Sequence, residues 1–209
     1  MTKNPGKTFE TDFRDSCRAS DIFILRLNDT YLANCELGKG QFTPHNPCDY
    51  IMYDGKHLYM FECKSTKYKS MSYTLDPMNK NSMIPAHQIS SLMDASTYPG
   101  IRAGFILNFR DEVTPANSLT YYLPIDGFSK FIMSTDKKSI NKLDIVDNGG
   151  IIIEAKLKRV HFYYDVNKMI TDIDKYYQTH EKTNIKELLE EIREANQEQL
   201  DELMDDFCS

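Results

Sequence analysis

Apolar and polar positions along the chain fall into blocks that predict an ordered series of short elements. Phe9, Phe13 and Cys17 recur at a four-residue step within residues 7–20, the spacing of one helix face. Residues 21–29 (DIFILRLND) alternate as a strand does, and Asn34 to Pro47 carries the Gly, Pro and Asn content of a loop. Two β-type runs, Asp49–Tyr53 and His57–Cys63, flank Asp54-Gly55, a dipeptide that predicts a hairpin with a two-residue tip. Residues 65–83 are polar and rich in Lys and Ser, which predicts a loop.

Beyond the hairpin, Pro85–Ser96 reads as a helix with Ile89, Leu92 and Met93 on one face. Ala103–Phe109 and Ser118–Leu123 read as strands, and 126–134 and 137–146 as short helices. Ile151–Lys156 and Arg159–Tyr164 are further strands, followed by a helix from Asp165 to Tyr177. Ile185, Leu188, Leu189, Ile192, Leu203 and Phe207 mark an amphipathic helix at the C-terminus. The order predicts an α/β or α+β domain, a mixed sheet flanked by helices over residues 1–179, then an acidic amphipathic helix over 180–209.

The 209 residues are ample for a buried core, and 13 Tyr and 11 Phe exclude a disordered chain. Uninterrupted apolar runs are too short for a transmembrane helix, and the first residues lack the apolar region of a secretory signal. A cytoplasmic setting, in a bacterial or phage-infected cell, is the expectation. Cysteines 17, 35, 48, 63 and 208 form no C-x-x-C pair, which predicts reduced thiols rather than a zinc site. The net charge of -6 is unevenly placed: residues 180–209 hold 10 acidic and 3 basic side chains, leaving 22 basic and 21 acidic elsewhere. The body is neutral, and a neutral body accommodates a local basic patch for nucleic acid.

The chemistry concentrates in residues 46–65. Strand alternation sends Glu62 and Lys64 to one face and Cys63 to the other, and the hairpin returns Asp49 towards Glu62. Two adjacent carboxylates repel, and a hard divalent cation, Mg²⁺ or Mn²⁺, relieves that repulsion. Such an ion beside a lysine suits phosphodiester hydrolysis. A solvated rim of charged strand ends fits the same spacing equally well. Lys67 and Lys69, in a Ser/Tyr-rich stretch just after this site, suit contacts to a DNA backbone.

The pattern Asp49-x12-Glu62-Cys63-Lys64 resembles the PD-(D/E)XK nuclease motif, and the element order resembles that superfamily's restriction-endonuclease-like core. More narrowly, Gly6 to Glu10, Cys48-Asp49-Tyr50, Phe61 to Ser65, His87-Gln88 and Ala103 to Arg110 resemble RecU-type Holliday junction resolvases in their shorter phage and Firmicute form. The likeness covers roughly residues 6–165. It implies Asp49 and Glu62 as metal ligands, Cys63 as a ligand through its backbone carbonyl, and Lys64 as the catalytic lysine. Glu10 matches the acidic residue of the first helix, and Gln88 the polar residue on the helix after the E-x-K strand. The implied activity is a metal-dependent endonuclease that resolves four-way DNA junctions as a homodimer, in recombination, repair or phage DNA processing.

Two departures from that pattern stand out. Cys48, not Pro, precedes Asp49, and Tyr31 to Cys48 is too short for the extended stalk of longer RecU proteins. A second E-x-K, Glu154-Ala-Lys156, lacks the following helix and strand and reads as an edge strand. A nuclease for another branched or linear DNA stays open, as does a non-catalytic DNA-binding or partner-binding module on the same fold.

Overall fold

The computed structural model describes residues 4–27, 46–79 and 81–180. The C-terminal helix expected over 180–209 lies outside these residues apart from His180, as does most of the loop expected between Asn34 and Pro47.

The chain opens with α1 (Pro5–Ala19), started by the Asn4 side chain accepting from the Gly6 amide and by Pro5 in the first turn. It continues through β1 (Phe23–Arg26), β2 (Tyr50–Tyr53), β3 (Leu58–Thr66), β4 (Ser70–Ser72), α2 (Ala86–Ser96) and β5 (Ile101–Phe109). Then follow β6 (Leu119–Pro124), α3 (Ile125–Ser134), β7 (Ser139–Asn141), α4 (Lys142–Asp147) and β8 (Ile151–Ile152). A hairpin of β9 (Ala155–Lys158) and β10 (His161–Tyr164) leads into α5 (Val166–Thr179).

Six strands form one mixed sheet in the order β1-β2-β3-β5-β6-β8. Within this sheet, among the described residues, β3 and β5 are the parallel pair, from Leu58 opposite Ile101 to Thr66 opposite Phe109, and α2 carries the chain between them. Both strands are buried on both faces, as central parallel strands must be. On one face Met60, Phe105 and Leu107 pack with Ile89, Leu92 and Met93 of α2 and Phe128 of α3. On the other, Tyr59, Phe61, Cys63 and Ile106 pack with Phe9, Phe13 and Cys17 of α1 and Val166, Met169 and Ile173 of α5. The mixed, helix-flanked sheet expected from the sequence is the fold.

Four local expectations are corrected. The β2–β3 connection is four residues, not two: the Asp54 carboxylate accepts from the Lys56 and His57 amides, and Gly55 takes φ +92°. Residues 65–83 are not a loop throughout, because β3 runs to Thr66 and β4 pairs with β7. That pairing also gives 137–146 a strand before its helix. Ile151–Lys156 splits between two sheets, with β8 on the edge of the large one and β9 paired to β10.

The outer edge of β10 is closed by α1 rather than by a strand. The Asp12 carboxylate accepts from the Phe162 amide at 2.9 Å and meets His161 Nδ1 at 2.7 Å, while Ser16 Oγ accepts from the Tyr164 amide at 3.0 Å. Polar groups in the buried face of α1 are thereby satisfied by an otherwise open strand edge. At the loop end of the β2–β3 hairpin, Arg102 meets Asp174 of α5 at 2.6 Å and lies 4.8 Å over the Tyr177 ring.

Gly104 in β5 faces the backbone of β6 at close range. A Cβ there would stand 2.5 Å from the Leu123 carbonyl oxygen and 3.0 Å from the Tyr122 ring. Gly104→Ala is expected to cost about 2–3 kcal/mol, because rigid backbone must move. Urea unfolding should show a lower midpoint with an unchanged slope.

Candidate active site

The β2–β3 register decides which side chains meet. Tyr50 pairs with Phe61, so continuing the ladder by one residue sets Asp49 opposite Glu62. A two-residue tip would have set Asp49 opposite Met60 instead. Asp49 is pinned from both sides: its carbonyl accepts from Leu27 of the β1 side, and its Oδ2 accepts from the Cys63 amide at 3.0 Å. Glu62 follows Met60 on the face that packs against α2, and it is only 2% exposed.

Lys64, two residues on, shares that face. Its Nζ stands 3.2 Å from Glu62 Oε2, but out of line for a hydrogen bond, so this buried oxygen has no donor. Burial is the main cause that pushes the Glu62 carboxyl up to about 8; the neighbouring Asp49 carboxylate adds to the rise and Lys64 opposes it. Gln88, in the first turn of α2, is partly buried with its Oε1 also lacking a hydrogen-bond partner.

Glu10 approaches from the α1 side of the sheet, within electrostatic reach of Asp49 and Lys64. Its carboxylate pairs with Arg26 at 3.2 Å and lies 3.5 Å from the Tyr50 hydroxyl. Burial raises its pKa, Arg26 lowers it, and the Asp49 charge raises it further, so the two acids sense one another across the sheet end. Cys63 points its thiol into the α1-side core, where burial raises its pKa well above the ordinary value. Any donor from Cys63 is therefore its main chain. Cys17 and Cys48 are likewise buried free thiols, each pushed up to about 12 by burial.

Among the described residues no three or more His, Cys, Asp or Glu side chains cluster as metal ligands. The donor set at Asp49 and Glu62 is two carboxylates with one buried, unpartnered oxygen. That set fits a hard cation that keeps several of its own waters, as Mg²⁺ does.

No protein-family profile matches the chain. It is 29% identical over 190 residues to the SPbeta prophage-derived uncharacterized protein YotM of Bacillus subtilis (strain 168), covering 86% of this chain and 91% of that protein. Among solved structures it is similar to Hjc, a Holliday junction resolvase from the archaeal hyperthermophile Archaeoglobus fulgidus, with a TM-score of 0.45 and 15% identity over 70% of this chain and 95% of that one.

Lys67 and Lys69 are exposed in the turn after β3. Glu112 bridges Lys67, at 3.6 Å, and Arg110, at 3.3 Å, so these two cations are spaced for one shared oxyanion. Arg110 and Arg26 were not singled out in the sequence, where each is one Arg at the end of an apolar strand. A cavity of about 440 Å³ lies elsewhere, between β8, the β9–β10 hairpin and the start of β6.

The raised Glu62 carboxyl gives a stability test that needs no substrate. An unfolded Glu ionises near 4.5 and the folded one near 8, so without metal, ionisation favours the unfolded chain increasingly as pH rises between those values. Glu62→Gln removes this loss. Its stability relative to wild type in EDTA should improve between pH 5 and 8 by on the order of 3 kcal/mol. Added Mg²⁺ should raise the melting temperature of wild type at pH 8 and leave that of Glu62→Gln unmoved.

Proposed function

We propose that the chain is a divalent-metal-dependent endodeoxyribonuclease acting on branched DNA, with the four-way junction as its substrate. The observation that carries this reading is the convergence of Asp49, buried Glu62 and Lys64 at one end of the β2–β3 hairpin. Mg²⁺ or Mn²⁺, held by Asp49, Glu62 and the Cys63 main-chain carbonyl, would polarise a phosphoryl oxygen and lower the pKa of a bound water.

The protein's own groups supply the rest. Lys64 holds an ammonium next to the reacting phosphate, where it orients the attacking water and offsets charge in the transition state. Gln88 presents its side-chain amide from α2 to the phosphate or to that water. Glu10, held by Arg26, sets the potential at the rim on the α1 side. Water adds to phosphorus as the P–O3′ bond breaks, the proton passes to the departing 3′ oxygen, and a 5′-phosphate remains. Lys67 and Lys69 take backbone phosphates and so position the DNA without reading its bases.

A homodimer matches the near two-fold symmetry of a junction and would cut opposed strands together. The exposed apolar residues Phe23 and Leu25 of edge strand β1, with Tyr53 opposite Phe23, support self-association. Among the described residues no helix is long and apolar enough to cross a membrane. The prophage origin of the relative favours a role in phage DNA processing.

With labelled four-way junction and matched linear duplex, cleavage is expected on the junction with Mg²⁺ or Mn²⁺ and none in EDTA. Asp49→Asn, Glu62→Gln and Lys64→Ala should each lower the rate by about 100-fold or more while retaining junction binding. Full cleavage by Asp49→Asn or Glu62→Gln would remove the site assignment. Cutting of both substrates would keep the nuclease and remove the junction preference, and binding without cutting would mark a non-catalytic module.

A further inference from the structure

On the α1 face of the sheet lies a groove of about 230 Å³ between the start of α1, the end of β5 and β10. Half-buried Phe162 forms its aromatic wall over the buried Phe9 and Tyr164: the Phe162 and Tyr164 rings lie 6.1 Å apart and 29° from parallel, with Phe9 edge-on to Tyr164. Arg110 stands at its polar edge, its Nη1 paired with Glu112 at 3.3 Å and its buried Nε without a hydrogen-bond partner. Asn108, also lining it, is bonded to Ser65, the residue after Lys64, and Phe9 immediately precedes Glu10. The groove and Glu62–Lys64 therefore lie on opposite faces of the sheet, linked through the β3–β5 pair.

The β9–β10 hairpin that forms one wall is basic. Residues 155–164 hold Lys156, Lys158 and Arg159, all exposed, and no Asp or Glu. Its tip is Arg159-Val160, since Lys158 pairs with His161, and Arg159 takes φ +59°. Glycine is the unstrained residue at such a position, so an arginine there is kept at a conformational cost. The bonds from the Phe162 and Tyr164 amides to Asp12 and Ser16 hold the hairpin in a fixed place against α1.

We propose that this groove and hairpin together hold an unpaired DNA strand on the α1 side of the sheet, an assignment that rests on the nuclease reading. Arg110 takes a phosphate, one base lies against half-buried Phe162, and Lys158 and Arg159 hold the backbone beyond it. The required ligand is anionic, aromatic and flexible. Single-stranded nucleotides meet all three conditions, whereas duplex keeps its bases stacked inward.

Anisotropy of labelled oligothymidylate and of matched duplex, measured in EDTA on the full chain, reads binding apart from cleavage. Arg159→Gly should keep or raise the melting temperature yet weaken oligothymidylate binding about 5–10-fold, with a log–log salt slope shallower by about one. Arg110→Ala should weaken oligothymidylate about 10-fold and duplex less. Wild-type affinity in both variants would overturn the proposal and leave the nuclease reading standing, provided wild type still cuts junctions. Failure of wild type to bind any DNA would overturn both. Loss of self-association in Val160→Glu with unchanged DNA affinity would make the groove a contact between copies, and would also overturn it.

Discussion

The hydrogen bond from the Cys63 amide to the Asp49 carboxylate fixes the end of the β2–β3 hairpin on which the proposed chemistry rests. Asp49 lies one residue beyond the last paired position of β2, where strand ends are free to diverge. This bond, with the bond from Leu27 to the Asp49 carbonyl, holds it against Glu62. Because side-chain period along a strand is two, a slip by one residue would turn Glu62 and Lys64 into the α1-side core and bring Cys63 to the site. The four-residue loop capped by the Asp54 carboxylate sets that register from the other end.

Around this fixed point the electrostatics are adverse by construction. A 2% exposed glutamate next to a second carboxylate is met by one lysine, and that lysine lies out of line for a hydrogen bond. Burying charge without full pairing costs stability, so the arrangement is poor as a structural ion pair and well suited to a cation supplied from solution. The two cores provide the compensation: mixed aliphatic and aromatic packing on both faces holds β3 rigid while its end carries the cost. The groove at the β9–β10 hairpin repeats the pattern on a smaller scale, with a strained Arg159 set on a hairpin clamped by Asp12 and Ser16.

The sheet and its flanking helices were legible because their signals are local. The four-residue step of Phe9, Phe13 and Cys17 and the apolar run of β5 need no tertiary information. The strand character of residues 70–72 was hidden because it depends on pairing with β7, some seventy residues away, and its Ser-Met-Ser composition reads as loop. The hairpin loop was misread by two residues because Asp-Gly signals a tight turn, while the Asp54 side chain instead closes a wider one. Asp49, Glu62 and Lys64 were legible through alternation and motif. The pairing of Glu10 with Arg26, the burial of Glu62 and the placement of Arg110 at the groove depend on which faces of the sheet each helix covers.

The central claim is that Asp49 and Glu62 hold a divalent cation at the end of this hairpin. Titration of Mn²⁺ into the full chain at pH 8, followed by loss of the free-ion electron paramagnetic resonance signal, addresses it without DNA or turnover. The account predicts saturable binding in wild type and none in a folded Asp49→Asn/Glu62→Gln double variant. Undiminished binding in that variant, or no binding in wild type, would contradict it.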